Sequence, residues 1–115
     1  MSIARLLAVL SLTVSLWGQE SPWFLDFAKA KAAAKEKNLQ ILTYFTGSDW
    51  NKYCQRYHED VFSQKDFLDW AEKNVILLEV DTPRDRKLDA AIVEQNEGLK
   101  KTGAYTKFLT LVFVC

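Results

Sequence analysis

The chain has 115 residues, 49% of them apolar and 13% aromatic, enough to fill one hydrophobic core and too few for two domains. Fifteen basic and fifteen acidic side chains cancel, so there is no electrostatic case for binding nucleic acid or an anionic membrane surface. Two cysteines, Cys54 and Cys115, are too few for a disulfide framework.

Residues 1–18 read as an export signal. Arg5 gives a basic start, Leu6 to Trp17 an apolar run too short to span a bilayer, and Gly18-Gln19 a possible cut, although Thr13 and Ser15 fit a cut after Ser15 better. The alternative is a buried N-terminal helix. Removing residues 1–18 takes away Arg5 alone among the charges, which leaves fourteen basic and fifteen acidic side chains and a mature domain, 19–115, close to neutral. Export implies an oxidising compartment.

Ser21-Pro22 has the form of a helix start, followed by an apolar face of Trp23, Phe27, Ala30 and Ala34 that Asn38 closes. Leu39 to Thr46 is strand-like. Thr46 to Asp49 turns the chain, and Trp50 to about Asp60 is a helix with Ser48 or Asp49 as its cap. Ser63-Gln64-Lys65-Asp66, close to a capping box, starts another helix bearing Phe67, Trp70 and Ala71. Val75 to Val80 is nearly continuous apolar sequence, as in a parallel strand covered on both faces. Thr82-Pro83 caps a helix with Leu88, Ala91, Ile92, Gln95 and Leu99 on one face, Arg84 to Lys87 forming its solvated first turn and Gly103 stopping it. Leu109 to Val114 is a last strand. Strands alternating with helices predict an α/β sheet with helices on both faces and its first two strands parallel.

The order of elements, the strand leading into Phe45-Thr46-Gly47-Ser48-Asp49-Trp50, the cysteine three residues after Asn51, Val61-Phe62, and Val80-Asp81-Thr82-Pro83 together resemble the thioredoxin superfamily. They are most similar to exported bacterial thioredoxin-like proteins whose loop reads roughly F-T-G-S-D-W-C-x-W-C. The resemblance covers Gln19 to Cys115. It implies a three-layer sandwich with a central mixed sheet, a thiol–disulfide exchange activity, protein thiols or extended peptide segments as partners, and no cofactor. Nucleic acid is not among the implied partners, nor is a membrane once the signal is removed.

Against that pattern, the exposed nucleophilic cysteine falls on Asn51 and the resolving cysteine on Cys54. Exchange takes a thiolate at the helix N-terminus and a second sulfur to resolve the mixed disulfide, so Asn51 can cap the helix but cannot attack. Cys54 is then either a small buried hydrophobe or a reactive monothiol. Cys115 is not expected to reach it: if Leu109 begins the last strand beside the active loop, six residues at about 3.3 Å each carry Cys115 roughly 20 Å away, whereas a disulfide needs α-carbons within about 7 Å.

The resemblance also places a cis-proline in the stretch Lys107-Phe108-Leu109-Thr110, where Leu109 stands instead. It continues the sheet with a further antiparallel strand and a closing helix for which no sequence follows. Leu109 to Val114 is therefore expected to be an exposed apolar edge, open to pairing or belonging to a truncated product. Substrate contacts are expected from Trp50, Lys52, Tyr53 and Leu109. His58 lies four residues after Cys54 on one helix face, but two ligands on a helix are not a metal site, and none is expected. Two functional classes remain: an exported oxidoreductase of weak or lost dithiol activity, or a non-catalytic thioredoxin-fold binding module.

Overall fold

The computed structural model describes residues 21–102 and 109–115; the export signal expected at 1–18 lies outside the described residues, as do Gly103, Lys107 and Phe108. Four strands form one sheet in the order β1-β3-β2-β4, where β1 is Trp23–Phe24, β2 Gln40–Thr46, β3 Val75–Asp81 and β4 Leu109–Val114. Helices α1 (Phe27–Lys37), α2 (Lys52–Tyr57), α3 (Lys65–Asn74) and α4 (Ala90–Thr102) connect them. A π-helical turn, His58–Phe62, extends α2.

Strand alternation divides the core between the two faces. The register pairs Ile41 with Ile76, Thr43 with Leu78 and Phe45 with Val80. Ile41, Ile76, Leu78 and Val80 pack with Ala30 of α1 and Leu99 of α4. On the opposite face Leu77 and Val75 pack with Ala71 of α3, flanked by Trp23, Leu42, Phe67 and Leu68. Every residue of β3 except Glu79 is buried, as its unbroken apolar run predicts. The buried Thr43 hydroxyl lacks a hydrogen-bond partner among the described residues.

Several expected boundaries move, each for a local reason. Ser21-Pro22 does not start a helix. Trp23 and Phe24 instead pair with Leu77 and Leu78 as a two-residue strand, and α1 begins after Asp26, whose side chain accepts from the Lys29 N–H at 3.1 Å. Asn38 ends α1 as expected, in the left-handed conformation at φ 56° that asparagine tolerates. The cap of α2 is Asn51 rather than Ser48 or Asp49. Helix α3 starts from Gln64 with no side-chain cap, so Ser63 makes no capping box and its hydroxyl donates to Glu59 O. Thr82-Pro83 opens a loop, not a helix, and α4 starts only at Ala90.

The largest departure is in the sheet. It was expected to be mixed, and every described pairing is parallel, including β2 with β4. Leu109 pairs with Ile41 at the start of β2, and Val114 pairs with Phe45 near its end. Strand β4 is one edge of the sheet as described, β1 being the other, and its Val112 and Val114 are exposed.

Candidate active site

The chain leaves the top of β2 into a turn that a second loop holds in place. Asn51 N–H donates to Gly47 O at 2.9 Å, and a β-carbon on Gly47 would collide with the Trp50 indole, so glycine is required by close approach. The Ser48 N–H donates to Asp81 Oδ1 at 2.9 Å, its hydroxyl donates to Oδ2, and the Arg86 guanidinium pairs with that same oxygen. Asp49 accepts from three consecutive backbone N–H groups, Arg84, Asp85 and Arg86, at 2.9, 2.8 and 2.7 Å. These bonds hold the exposed Asp49 carboxyl below its ordinary range, those from Arg84 and Arg86 contributing most. The Trp50 indole N–H donates to Thr82 O at 2.7 Å, and the Arg84 guanidinium lies 4.2 Å over its ring.

Asn51 follows in extended conformation. Its side-chain oxygen accepts from the N–H groups of Tyr53 (2.9 Å) and Cys54 (3.2 Å), two of the donors that a helix N-terminus leaves free. The amide oxygen thereby takes up two donors at the start of α2. One turn on, Cys54 is buried, with 2% of its surface exposed.

Cys54 is disulfide-bonded to Cys115, with α-carbons 5.4 Å apart, and neither described cysteine is free. This overturns both the expected separation and the premise that a single sulfur remains at the site. The reason is strand direction. Because β4 runs parallel to β2, it brings its last residue, not its first, to the end of the sheet where α2 begins. Alternation then sets the side: Phe113 pairs with Tyr44 on the face beneath α2, and Cys115, two residues further, returns to that face.

The same geometry removes Leu109 from the site. It sits opposite Ile41, five residues before Thr46, roughly 16 Å of strand from the active turn. Of the other residues expected to contact substrate, Trp50 is 39% and Tyr53 76% exposed, and Lys52 lies exposed at the first position of α2.

Tyr44 was not foreseen and is central. Its hydroxyl donates to Cys54 O at 3.0 Å and lies 3.9 Å from the Cys115 sulfur, within an aromatic cluster of Trp23, Phe62 and Phe113. Burial pushes its phenol above the ordinary value. The Cys115 sulfur also rests 3.6 Å from Phe45 O; bonded to Cys54, it carries no proton, so this is a contact rather than a hydrogen bond.

Beside the disulfide opens a cavity of about 310 Å³ lined by Cys54, Tyr44, His58, Glu79 and Arg86 among others. Glu79 pairs in register with Tyr44 on this face. Desolvation raises the Glu79 carboxyl above its ordinary value, Asp81 adds to this, and Arg86 and His58 partly offset it. A carboxyl raised on folding leaves stability intact below its unfolded value, near pH 4.5, and erodes it as pH climbs from there through the raised folded value. Glu79→Gln is therefore expected to melt a few degrees higher than wild type at pH 7 and at nearly the same temperature at pH 4, as read by calorimetry.

None of Tyr44, Glu79, Asp81 or Arg86 carries a motif that marks it in the sequence. Asp81 stood in the quoted Val-Asp-Thr-Pro run without a role.

A sequence profile described as thioredoxin-like matches residues 22–111. The chain is 30% identical over 105 residues to the thioredoxin-related protein DsbJ of Chlamydia pneumoniae, covering 84% of this chain and 30% of that protein. It is 28% identical over 89 residues to the disulfide bond reductase DsbH of the same organism, covering 77% of this chain and 54% of that protein. The chain thus spans at most about half the length of these relatives. A solved DsbH oxidoreductase structure superposes with a TM-score of 0.66 at 25% identity, covering 80% of this chain and 68% of that one. With the strand, turn and capped helix described above, these matches establish that the chain belongs to the thioredoxin-like family and is related to its thiol–disulfide oxidoreductases.

Proposed function

We propose that this chain is an exported thioredoxin-fold protein that works on thiols and disulfides, with the family's exchange between two helix-borne sulfurs weak or lost. The observation that carries this is the placement of Asn51: its side-chain oxygen occupies the N–H groups of Tyr53 and Cys54 where a nucleophilic sulfur would sit. Export is supported by the reading of residues 1–18 and by relatives bearing Dsb names. Among the described residues no helix is long and apolar enough to cross a membrane. The partners we propose are protein thiols in extended segments, held against the exposed Tyr53 ring and the Trp50 edge.

Insulin reduction tests the reading. Wild type is expected near background. Asn51→Cys combined with Cys115→Ser, which restores a second sulfur at residue 51 and frees Cys54 to pair with it, is expected to raise turnover at least tenfold. Equal turnover in the two proteins contradicts the assignment.

The second reading, a binding module without exchange chemistry, is favoured by the exposure of Tyr53 and by the rigid bracing of Trp50. It predicts that Tyr53→Ala weakens capture of a protein partner while thiol reactivity is unchanged.

A further inference from the structure

The two sulfurs of the disulfide differ in surroundings. Cys54 is 2% exposed on the buried side of α2, whereas Cys115 is only partly buried and follows the last residue of an edge strand. A cross-link that serves only to hold a fold gains nothing from one open sulfur, but an exchanging disulfide needs one, because an incoming thiolate must reach the sulfur it attacks. The open cavity on the Cys54 side, whose lining includes Tyr44, His58, Glu79 and Arg86, gives the sulfur that leaves a space to occupy. The Tyr44 hydroxyl donates to Cys54 O at 3.0 Å and lies 3.9 Å from the Cys115 sulfur, so one buried side chain contacts both half-cystines.

From this asymmetry, and resting on the reading above that the chain works on thiols, we infer that Cys54 and Cys115 are its working redox pair. Cys115 is the sulfur that exchanges with substrate thiols, and Cys54 is the buried partner. The exchange centre has moved from two positions of one helix to a helix and the end of a sheet edge. In the first step a substrate thiolate attacks the Cys115 sulfur, a substrate–Cys115 disulfide forms, the Cys54–Cys115 bond breaks, and the electron pair leaves on Cys54, which takes a proton from solvent in the cavity. In the second step another substrate thiolate attacks the substrate sulfur of that mixed disulfide and releases Cys115. Two thiols are oxidised to one disulfide, and the Cys54–Cys115 disulfide is reduced to two thiols.

The test uses the oxidised full chain and glutathione as the probe thiol under native conditions, with acid quenching, alkylation of the remaining thiols and peptide mapping by mass spectrometry. The disulfide is expected to open at least tenfold faster than the protein globally unfolds, with glutathione first found on Cys115 and the alkyl group on Cys54. Opening no faster than unfolding would make the bond a structural clasp and overturn the inference. Glutathione found first on Cys54, or on neither cysteine, overturns it equally. Compared with Cys115→Ser alone, at a temperature where circular dichroism shows both folded, insulin reduction by the Asn51→Cys, Cys115→Ser variant involves no sulfur at residue 115 on either side, so that result reports on the family reading alone.

Discussion

Cys115→Ser is expected to lower the unfolding free energy by about 4 kcal/mol, the chain-entropy value for a cross-link joining residues 61 apart in sequence. In a domain of this size that is a fall in Tm of roughly 15–30 °C, measurable by circular dichroism. Two things act together. The unfolded chain regains the freedom that the closed ring denied it, and β4 loses its covalent anchor to α2 while remaining an edge strand paired only to β2 among the described residues. Cys54→Ser should fall by a similar amount, and wild type in excess dithiothreitol should match both variants. The double variant should be no worse than either single one, because one bond is lost in all three cases. If reduced wild type melted where the oxidised protein does, the cross-link would contribute nothing to the fold.

Asp81→Ala is the second large effect, at about 3 kcal/mol. The Asp81 side chain is 1% exposed, and its carboxylate joins the Ser48 N–H, the Ser48 hydroxyl and the Arg86 guanidinium. Removing it leaves the half-buried Ser48 donors without acceptors, the costlier way to break a polar contact. Arg86 is 46% exposed and can turn to solvent, which keeps the cost toward the lower end for a broken buried pair. Asp81→Asn retains an acceptor for Ser48 and should lose less. The local signature is early exchange of the Ser48 amide hydrogen, since this bond fastens the turn before α2 to the sheet. A protected Ser48 amide in Asp81→Ala would mean that the turn is held chiefly by Asp49 and Trp50.

The parts of the fold that were legible are those whose pattern has a local cause. The unbroken apolar run of β3 announces burial on both faces, and Asn38 and Asn51 do at helix ends what asparagine does there without help from distant residues. Where the reading failed, something distant intervened. Thr82-Pro83 is a fair helix start, but the N–H groups of Arg84, Asp85 and Arg86 that would open that helix are drawn instead onto Asp49, 35 to 37 residues away. Trp23 fits a helical face with Phe27, Ala30 and Ala34 until β3 offers it and Phe24 a pairing edge.

Strand direction was the costliest omission. Alternation in Leu109 to Val114 is the same whichever way the strand runs, so the sequence pattern identifies the strand and leaves open which end meets the active turn. The partnership of Cys54 and Cys115, and with it half of the candidate site, depended on that one unmarked choice.

The bond between residues 54 and 115 has a practical consequence for the loop over 82–89, which lies within the ring it closes. A protease that nicks this loop separates no fragment: the two pieces travel as one band on a non-reducing gel and part only when a reductant is added. Cleavage before Cys54 releases its N-terminal piece with or without reductant, so the gel alone tells on which side of the ring the chain was cut.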